Sequence, residues 1–523
     1  MLASAQLSTR EIPIGFKYDF DKEKIPVIIM SAIDVEKLKA EDEEERRRGL
    51  NLPPRFGFKH SVSLNLTKQG VRHILDNGDK LYQLAIACPG AASINLLYDK
   101  FWLPAGAKFF VYGYDKKHHI GAFTTINNKG TKDNIEGFAT ELIYSDTIIL
   151  EYYLPKSSSE EGIISISGVI QGYRNINSSA RLGYGNVPGQ GWDDMGFNWS
   201  GRCHVNINCP EGNAWQNEKR AIALVVSSNG IRHCTGALIN NTNNDFRPLF
   251  LTAQHCLQGN LNNWIFFWGY ELPPTPNPAN CNDRVTTAPQ AFSTLGARLL
   301  ASIDRFIGTD FALLELIEDP IHLHSYTPSY TPYYLGWDRT GIITAGGVGI
   351  HHPRGDVKKI STYSTEPVGY TAEYWRVIWI RTQNERGTVE EGSSGSPLIN
   401  SSRRVIGQLS TGSDLGCLMS IPYGNYGRFD RSWTGGGTNT TRLSNWLDPT
   451  NTGRTTLDGI NYNCNSTTVS GTINQNRVVR CNTINANNAT VTPTGNLNLR
   501  GNVINIGPNF TVQSGGGLTV TAE

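Results

Sequence analysis

The stretch EEGSSGSPLIN holds two glycines and three serines between Gly392 and Ser396. Runs rich in glycine and serine are commonly flexible linkers. This run is only five residues long and leads directly into the strand-like PLIN, so a linker is a poor explanation for it. A serine on such a turn can act as a nucleophile if a histidine takes its proton and an acid orients that histidine. A base and an acid must therefore exist elsewhere in the chain.

Two candidate partners stand beside apolar segments. His255 ends the segment PLFLTAQH, and Asp310 precedes the apolar run in TDFALLEL. Each has a structural explanation when taken separately, since such residues are commonly turn residues. Together they run in the order His255, Asp310, Ser394, which is the order of chymotrypsin-like triads and not that of subtilisin-like chains or α/β hydrolases. We predict Ser394 as the nucleophile, His255 as the general base and Asp310 as the orienting acid.

The glycines of the serine loop have a matching explanation. Gly392 would let the chain turn so that the amides of Gly392 and Ser394 point at one spot, an oxyanion hole. Such a donor is typically worth about 10²–10³ in rate. Gly395 would let the chain pass close behind the nucleophile. We select Ser394 over Ser393 and Ser396 from its place in the motif.

The rest of the 523 residues must position these groups, and the chain is too long for one core. The composition and the short strands with turn signals predict a mainly β protein. A charged helix followed by alternating strands predicts an N-terminal β-sandwich. A two-barrel or sandwich β domain follows, and Asn- and Thr-rich rungs predict a small solenoid-like or sandwich module at the end. The predicted divisions are a signal-peptide remnant at 1–6, an N-terminal domain at 7–185, a linker and processing region at 186–202, the chemical domain at 203–458 and the C-terminal β module at 459–523.

Charge and cysteine usage narrow the class of protein. A net charge of +1 gives no argument for a nucleic-acid partner, and no apolar run approaches the roughly 20 residues that span a bilayer. The nine cysteines have no CxxC spacing, so we expect disulfides in an oxidising compartment, with no metal and no cofactor. Cys464 and Cys481 could close a small C-terminal loop, and Cys88 is left over as a buried thiol. The ASA before Gln6 resembles the end of a secretory signal.

Many motifs of the central domain resemble bacterial lysyl endopeptidases, a secreted branch of the chymotrypsin-like serine peptidases. They include NINCPEG, CTGALINNT, FLTAQHC, TDFALLEL, GWDR, IHHPRGDVKKIS, EEGSSGSPL, RVIGQL and SWTGGG. The resemblance implies two perpendicular six-stranded β-barrels with the active site between them, and a monomeric extracellular enzyme acting on proteins and peptides. His255, Asp310 and Ser394 match the family triad. The implied disulfides are Cys203–Cys417, Cys209–Cys281 and Cys234–Cys256.

The N-terminal segment resembles the family propeptide through IDVEKLKAED, PGAASINLLYD and LPAGAKFFVYG. We therefore expect residues 7–185 to be a propeptide that acts as an intramolecular inhibitor or a folding aid. In many chymotrypsin-like zymogens a new N-terminal amine pairs with an Asp just before the nucleophile. Ser393 occupies that position here, so that switch is unavailable.

This chain differs from the family pattern at the specificity pocket. The family has an Asp two residues before YGR, where this chain has Gly424. Thr388, Ser410, Gly412 and Gly424 would describe an uncharged, open pocket. Two nearby acids, Glu390 and Asp414, could substitute for the missing one, but the sequence does not place them. Two preferences at P1, the residue before the cleaved bond, stay open: lysine, and an uncharged or large apolar residue.

A third interpretation is a non-catalytic binding or adhesion protein on a protease scaffold. HHPRGD contains the adhesion tripeptide Arg354-Gly355-Asp356, although it sits inside a family motif and reads as a structural turn. His351 and His352 would point to opposite faces of an extended chain, which argues against a shared metal site.

Overall fold

A computed structural model describes most of the chain. The described residues are 11–18, 20–48, 55–174, 200–227, 232–273, 281, 291–321, 323, 330–413, 416–462, 466–474, 476–481, 483–501 and 503–522. The predicted signal remnant at 1–6 and most of the predicted processing region at 186–202 lie outside these ranges. Within them, no helix combines the length and the apolar character needed to cross a bilayer.

The N-terminal domain is a two-sheet β-sandwich preceded by the charged helix that the sequence predicts. Its helices are α1 (Val35–Arg47) and α2 (Leu66–Gln69). Its strands are β1 (Val27–Ile29), β2 (Gly57–Asn65), β3 (Val71–Ile74), β4 (Lys80–Ala87), β5 (Ser93–Trp102), β6 (Lys108–Gly113), β7 (His119–Phe123), β8 (Gly130–Thr131), β9 (Asn134–Ile135), β10 (Phe138–Ala139), β11 (Thr147–Leu154) and β12 (Ile163–Gly172). One sheet runs β1-β4-β11-β6-β7 with β3 beside β4, and the other runs β10-β5-β12-β2. The apolar residues of both sheets meet in one buried cluster, which includes the leftover thiol of Cys88.

The central domain consists mainly of two β-sheets with the predicted site between them. Its strands are β13 (Val205–Asn206), β14 (Ile222–Ser227), β15 (Arg232–Leu238), β16 (Leu249–Ala253), β17 (Ile265–Trp268), β18 (Phe292–Leu295), β19 (Ala297–Ser302), β20 (Phe311–Leu316), β21 (Tyr333–Tyr334), β22 (Gly336–Asp338), β23 (Gly347–His351), β24 (Lys359–Tyr363), β25 (Val368–Gly369), β26 (Tyr374–Ile378), β27 (Pro397–Asn400), β28 (Arg404–Gly412), β29 (Tyr423–Arg428), β30 (Thr456–Leu457) and β31 (Ile460–Asn461). The first sheet has seven strands in the order β18-β17-β14-β15-β16-β20-β19. The second follows β13-β24-β23-β27-β28-β29-β26-β25, with β22 and β30 added to it. Two short helices close the domain, α3 (Phe429–Thr434) and α4 (Ser444–Leu447). The protein is therefore mainly β, with a double-barrel arrangement at its centre.

The N-terminal sandwich packs on the first of these sheets. Val226, Ile265 and Leu295, from β14, β17 and β18, are buried in the same apolar cluster as the sandwich core. Phe56 stacks on His233 of β15, with ring centroids 4.5 Å apart. Strand β14 is buried along its whole length, because one face packs in the barrel core and the other meets the sandwich. This double burial explains why its sequence, IALVVS, is almost continuously apolar.

The C-terminal module is built from parallel rungs. Its strands are β32 (Ser466–Ile473), β33 (Asn476–Arg480), β34 (Thr483–Val491), β35 (Asn496–Gly501), β36 (Val503–Ile506), β37 (Thr511–Val512) and β38 (Gly517–Ala522). β32, β34 and β36 pair in parallel, as do β33, β35 and β38. The pairing of β31 with β21 carries the central domain to Asn461, slightly beyond the expected boundary at 458. A buried ion pair between Arg480 and Asp319, 2.8 Å apart, fastens the module to the central domain.

Candidate active site

The predicted base and acid are brought together by two neighbouring strands. β16 and β20 pair antiparallel with Ala253 opposite Phe311, so the residues just beyond this pair lie side by side. His255 sits in a 3-10 turn directly after β16, and Asp310 immediately precedes β20. The His255 ring nitrogen Nδ1 lies 2.7 Å from Asp310 Oδ2, and the His255 amide donates to Asp310 Oδ1 at 3.0 Å. Two contacts to one fully buried carboxylate fix the orientation of the imidazole.

Ser410 of β28 makes the third contact with this carboxylate. Its hydroxyl donates to Asp310 Oδ2 at 2.6 Å, so the acid is held by both sheets of the domain. The sequence interpretation places Ser410 in the specificity pocket. In the structure its hydroxyl is bound to the acid, because the register of β28 directs this side chain toward Asp310.

The serine loop reaches the first sheet through two glycines with positive φ. Gly392 has φ 87° and Gly395 has φ 84°, a region that favours glycine. A Cβ on Gly395 would lie only 2.2 Å from Thr252 Oγ1 and 2.4 Å from Thr235 O. Only glycine lets the loop come this close, as the sequence predicts for this position.

Thr235 of β15 holds the loop in this place. Its amide donates to the Ser394 carbonyl at 2.8 Å, and its hydroxyl donates to the Gly392 carbonyl at 2.8 Å. The Cys256 sulfur, next to His255 in the chain, lies 3.9 Å from the same Ser394 carbonyl. Sequence patterns do not mark Thr235 as a site residue, apart from its place beside Cys234.

The three serines of the loop differ in exposure. Ser393 and Ser396 are completely buried, whereas Ser394 is partly exposed and could be reached by a substrate. The amide of Ser393 donates to Glu390 O, and that of Gly395 donates to Leu409 O. Among the described residues, the amides of Gly392 and Ser394 donate to no protein acceptor. Two unused donors thus flank Ser393 where the oxyanion hole is predicted.

The contact between Cys256 and the Ser394 carbonyl brings the chain next to His255 close to the serine loop. Within the described part of the chain, the His255 ring has no hydrogen bond to the Ser394 hydroxyl. Catalytic hydrogen bonds are often long in the absence of substrate and tighten when it binds.

Ser410, Gly412 and Gly424 lie on two paired strands of the second sheet, whereas Thr388 lies in the irregular segment before the serine loop. Gly412 of β28 is the register partner of Gly424 of β29, and Thr388 is buried before the serine loop. A Cβ on Gly424 would lie 2.8 Å from the Tyr426 ring and 3.5 Å from the Trp379 ring. The surroundings of Gly424 are therefore apolar, and they also include Leu409, whose Cδ1 would lie 3.3 Å from that Cβ.

Of the two acids near the pocket in sequence, Glu390 is engaged elsewhere and Asp414 lies outside the described residues. Glu390 lies 3.1 Å from His204 Nε2 and 3.5 Å from Arg354 Nε, and it accepts from the Gly201 amide at 3.0 Å. Burial raises its pKa, but the charges of His204 and Arg354 and these hydrogen bonds outweigh burial and lower the pKa to about 2. With these partners the Glu390 carboxylate stabilises the serine loop and is not available to bind a charged substrate side chain.

Six cysteines of the domain are paired. Disulfides join Cys203 to Cys417, Cys209 to Cys281 and Cys234 to Cys256, which are the pairs that the family resemblance implies. Cys481 is disulfide-bonded, and Cys464 lies outside the described residues. One group with metal-type ligands occurs in the described ranges, Cys203, His204 and Cys417. Its two sulfurs are bonded to each other and so offer no thiolate to a metal.

The adhesion tripeptide is part of the domain interior. Asp356 is buried and accepts a hydrogen bond from the Ser200 hydroxyl at 2.5 Å. A Cβ on Gly355 would lie 2.7 Å from His233 Nδ1. A buried aspartate cannot be presented to a receptor, so Arg354-Gly355-Asp356 is a structural turn.

Comparison with known proteins finds relatives of the central domain. Residues 197–422 match the family described as lysyl endopeptidase, C-terminal domain; the match ends just before Gly424. A lysyl endopeptidase of Pseudomonas aeruginosa is 32% identical over 296 residues, which cover 54% of this chain and 58% of the relative. The chain thus spans less than two thirds of that relative's length.

Two solved structures are more distant. A serine endoprotease from Yersinia pestis is 14% identical with a TM-score of 0.26, covering 40% of this chain and 60% of its own. A thermostable serine protease from an extremophilic microorganism is 13% identical with a TM-score of 0.28, covering 40% of this chain and 92% of its own. The central domain of this chain, through residues 197–422, is similar to the lysyl endopeptidase family.

Proposed function

We propose that the chain is a serine endopeptidase that works through Ser394, His255 and Asp310. The observation that carries the proposal is the buried His255–Asp310 pair, set beside a partly exposed serine whose loop leaves two amides free. The Ser394 oxygen would bond to the scissile carbonyl carbon while its proton passes to His255 Nε2. That proton would then go to the leaving amine as the peptide bond breaks.

The second half of the reaction uses the same groups. A water molecule gives its proton to His255 Nε2, its oxygen bonds to the acyl carbon, and the bond to Ser394 breaks as the proton returns to the serine. In both halves the carbonyl oxygen carries negative charge, which the amides of Gly392 and Ser394 would stabilise. Asp310 stays ionised and stabilises the imidazolium.

We further propose an uncharged, preferably apolar P1 residue. The support comes from the paired glycines Gly412 and Gly424, with the Tyr426 and Trp379 rings next to Gly424. Glu390, one of the two acids that could replace the family's aspartate, is occupied by its partners; the other, Asp414, lies outside the described residues. A lysine side chain buried without a carboxylate would pay a large desolvation penalty.

We propose that the N-terminal domain is a propeptide that aids folding and does not block the cleft. Among the described residues, its contacts fall mainly on β14, β15, β17 and β18, with some on the turn Leu261–Asn263, and they include an ion pair of 2.9 Å between Glu45 and Arg232. His255 follows β16, Asp310 precedes β20 and Ser394 precedes β27, so none of the three lies on the four strands that contact the sandwich. The sandwich would therefore cover an apolar sheet face during folding, while the three disulfides support secretion into an oxidising compartment.

The test is a mass-spectrometric cleavage profile of the mature chain on a mixed peptide library, with Ser394→Ala as the matched control. Cuts after large apolar or other uncharged residues, absent in the control, would support both activity and pocket. Cuts confined to lysine would support the activity and overturn the pocket. No cuts would leave a binding protein on a protease scaffold as the better account.

A further inference from the structure

A chain of hydrogen bonds lies directly behind the serine loop, within the protein interior. The Glu390 amide donates to Ser393 Oγ at 3.2 Å, and Ser393 Oγ lies 2.7 Å from His351 Nδ1. His351 Nε2 lies 3.2 Å from Ser361 Oγ, whose hydroxyl donates to the Thr388 carbonyl at 2.7 Å. Ser393, His351, Ser361 and Thr388 are all buried. We call these four hydrogen bonds the serine–histidine relay.

The direction of every proton in this relay follows from its two ends. A carbonyl oxygen can only accept a hydrogen bond, so the Ser361 hydroxyl donates its proton to the Thr388 carbonyl. The Ser361 oxygen must then accept a hydrogen bond from His351 Nε2–H. His351 Nδ1 is then the acceptor, and it takes the Ser393 hydroxyl proton. Ser393 Oγ keeps a lone pair for the Glu390 amide. Each donor has one acceptor only when His351 is neutral and protonated on Nε2.

The surroundings of His351 keep it neutral. Burial lowers its pKa well below the usual value, and His204, His352 and Lys359 add to this effect. The His204 ring lies 5.4 Å from the His351 ring. These three positively charged or chargeable groups all disfavour a proton on the second ring nitrogen.

The relay fastens both ends of the segment that leads to the oxyanion donors. Thr388 begins this segment, Glu390 lies within it, and Gly392 carries the first of the two unused amides. Ser393, between those amides, is fixed by its side chain and by its amide bond to Glu390 O at 3.0 Å. Movement of either end would turn the Gly392 amide away from the oxyanion position.

We propose that Ser393, His351 and Ser361 are positioning residues that hold the oxyanion hole through a neutral hydrogen-bond relay. The relay occupies the place where related zymogens use an aspartate and a new N-terminal amine. The proposed hole would then be held by these side chains and not by such an amine. This inference rests on the proposed endopeptidase function.

The test compares Ser393→Ala with Ser396→Ala, an equally buried serine of the same loop outside the relay. The full-length chain is expressed, allowed to mature, and its active sites are counted by end-point labelling with a fluorophosphonate. We expect Ser393→Ala to lower kcat per labelled site about tenfold to a hundredfold, part of the roughly 10²–10³ that one oxyanion donor supplies. KM should stay within about twofold, and a peptide boronic acid should bind more weakly in proportion to kcat.

A second pair of variants separates the relay from packing and covers the case in which Ser393→Ala fails to fold. His351→Asn offers an amide oxygen near the Nδ1 position, whereas His351→Leu has a similar volume and no polar atom. We expect His351→Asn to retain more kcat than His351→Leu. A kcat within about twofold of the parent for Ser393→Ala, or equal losses in Ser393→Ala and Ser396→Ala, would overturn the relay. An unlabelled, inactive parent chain would overturn the endopeptidase and the relay with it.

Discussion

Replacement of Asp310 by asparagine should change the hydrogen bonding that orients His255 while leaving the shape of the site unchanged. Asp310 has φ 61°, a conformation that asparagine tolerates as well as aspartate, so the backbone need not move. Oδ1 accepts from the His255 amide, and Oδ2 faces His255 Nδ1 and the Ser410 hydroxyl. The asparagine oxygen will face the His255 amide, because the reverse orientation sets two donors against each other.

The amide group of the asparagine then stands where Oδ2 stood. The asparagine NH₂ group cannot accept a hydrogen bond from His255 Nδ1–H. His255 must therefore be unprotonated on Nδ1 and protonated on Nε2, and Nε2 can then no longer accept the Ser394 proton. The same change in a chymotrypsin-like triad lowers kcat by about 10⁴, which is about 5.4 kcal/mol at roughly 1.36 kcal/mol per factor of ten. We expect a loss of this size in Asp310→Asn.

The assay is kcat per folded molecule on a peptide that the parent chain cleaves, with near-UV circular dichroism as a check of the fold. Ser410→Ala is the graded control, since it removes one of the two hydrogen bonds to Oδ2 and should cost about tenfold, close to the value of one hydrogen bond to a charged group. A folded Asp310→Asn variant with kcat within about tenfold of the parent would refute the assigned roles.

Three further predictions concern the pocket, the response to acid and the C-terminal module. Gly424→Asp should raise the ratio of kcat/KM for lysyl over leucyl substrates at least about tenfold and lower stability by about 1–3 kcal/mol through overpacking; an unchanged ratio would place the P1 side chain elsewhere. Burial lowers the pKa values of His233 and His352 to about 3. Below pH 6.5 these two histidines therefore bind protons in the unfolded chain but not in the folded chain. At pH 5 each histidine should lower the free energy of unfolding by about 2 kcal/mol. Equal urea midpoints at pH 7 and pH 5 would contradict this. Arg480→Met leaves Asp319 buried and unpaired, and should release the module or destabilise it by about 3–5 kcal/mol; limited proteolysis should then remove the module faster than in the parent, and a parental rate would show that the ion pair is dispensable.

The residues of the proposed triad could be selected from sequence patterns because each lies at the edge of an apolar strand. His255 and Asp310 flank β16 and β20, and antiparallel pairing of those strands brings such residues together. The positive φ of Gly392 and Gly395 was equally accessible, since paired glycines around a serine indicate a tight turn. Local pattern and residue order suffice for this part of the site.

The supporting contacts could not be predicted because they depend on strand register over long distances. Ser393 and His351 are 42 residues apart, and Ser410 and Asp310 are 100 apart. A one-residue slip of β28 would turn Ser410 to the other face of its sheet, and nothing in its own sequence fixes that register.

The docking of the N-terminal domain shows a similar limit. The apolar run of β14 indicates a strand buried on both faces, but it does not say what covers the second face. The covering residues come from a domain whose own pattern is that of an independent sandwich. Phe56, which stacks on His233, has no sequence feature that sets it apart from the other core aromatics.

The central claim is that Ser394 is the nucleophile, and covalent labelling tests it most directly. The mature full-length chain is treated with a fluorophosphonate, digested and mapped by mass spectrometry, with Ser394→Ala treated in parallel. We predict one adduct per molecule, located on Ser394 and absent from the variant. An adduct on Ser393 or Ser396, or none on the folded parent chain, would contradict the account.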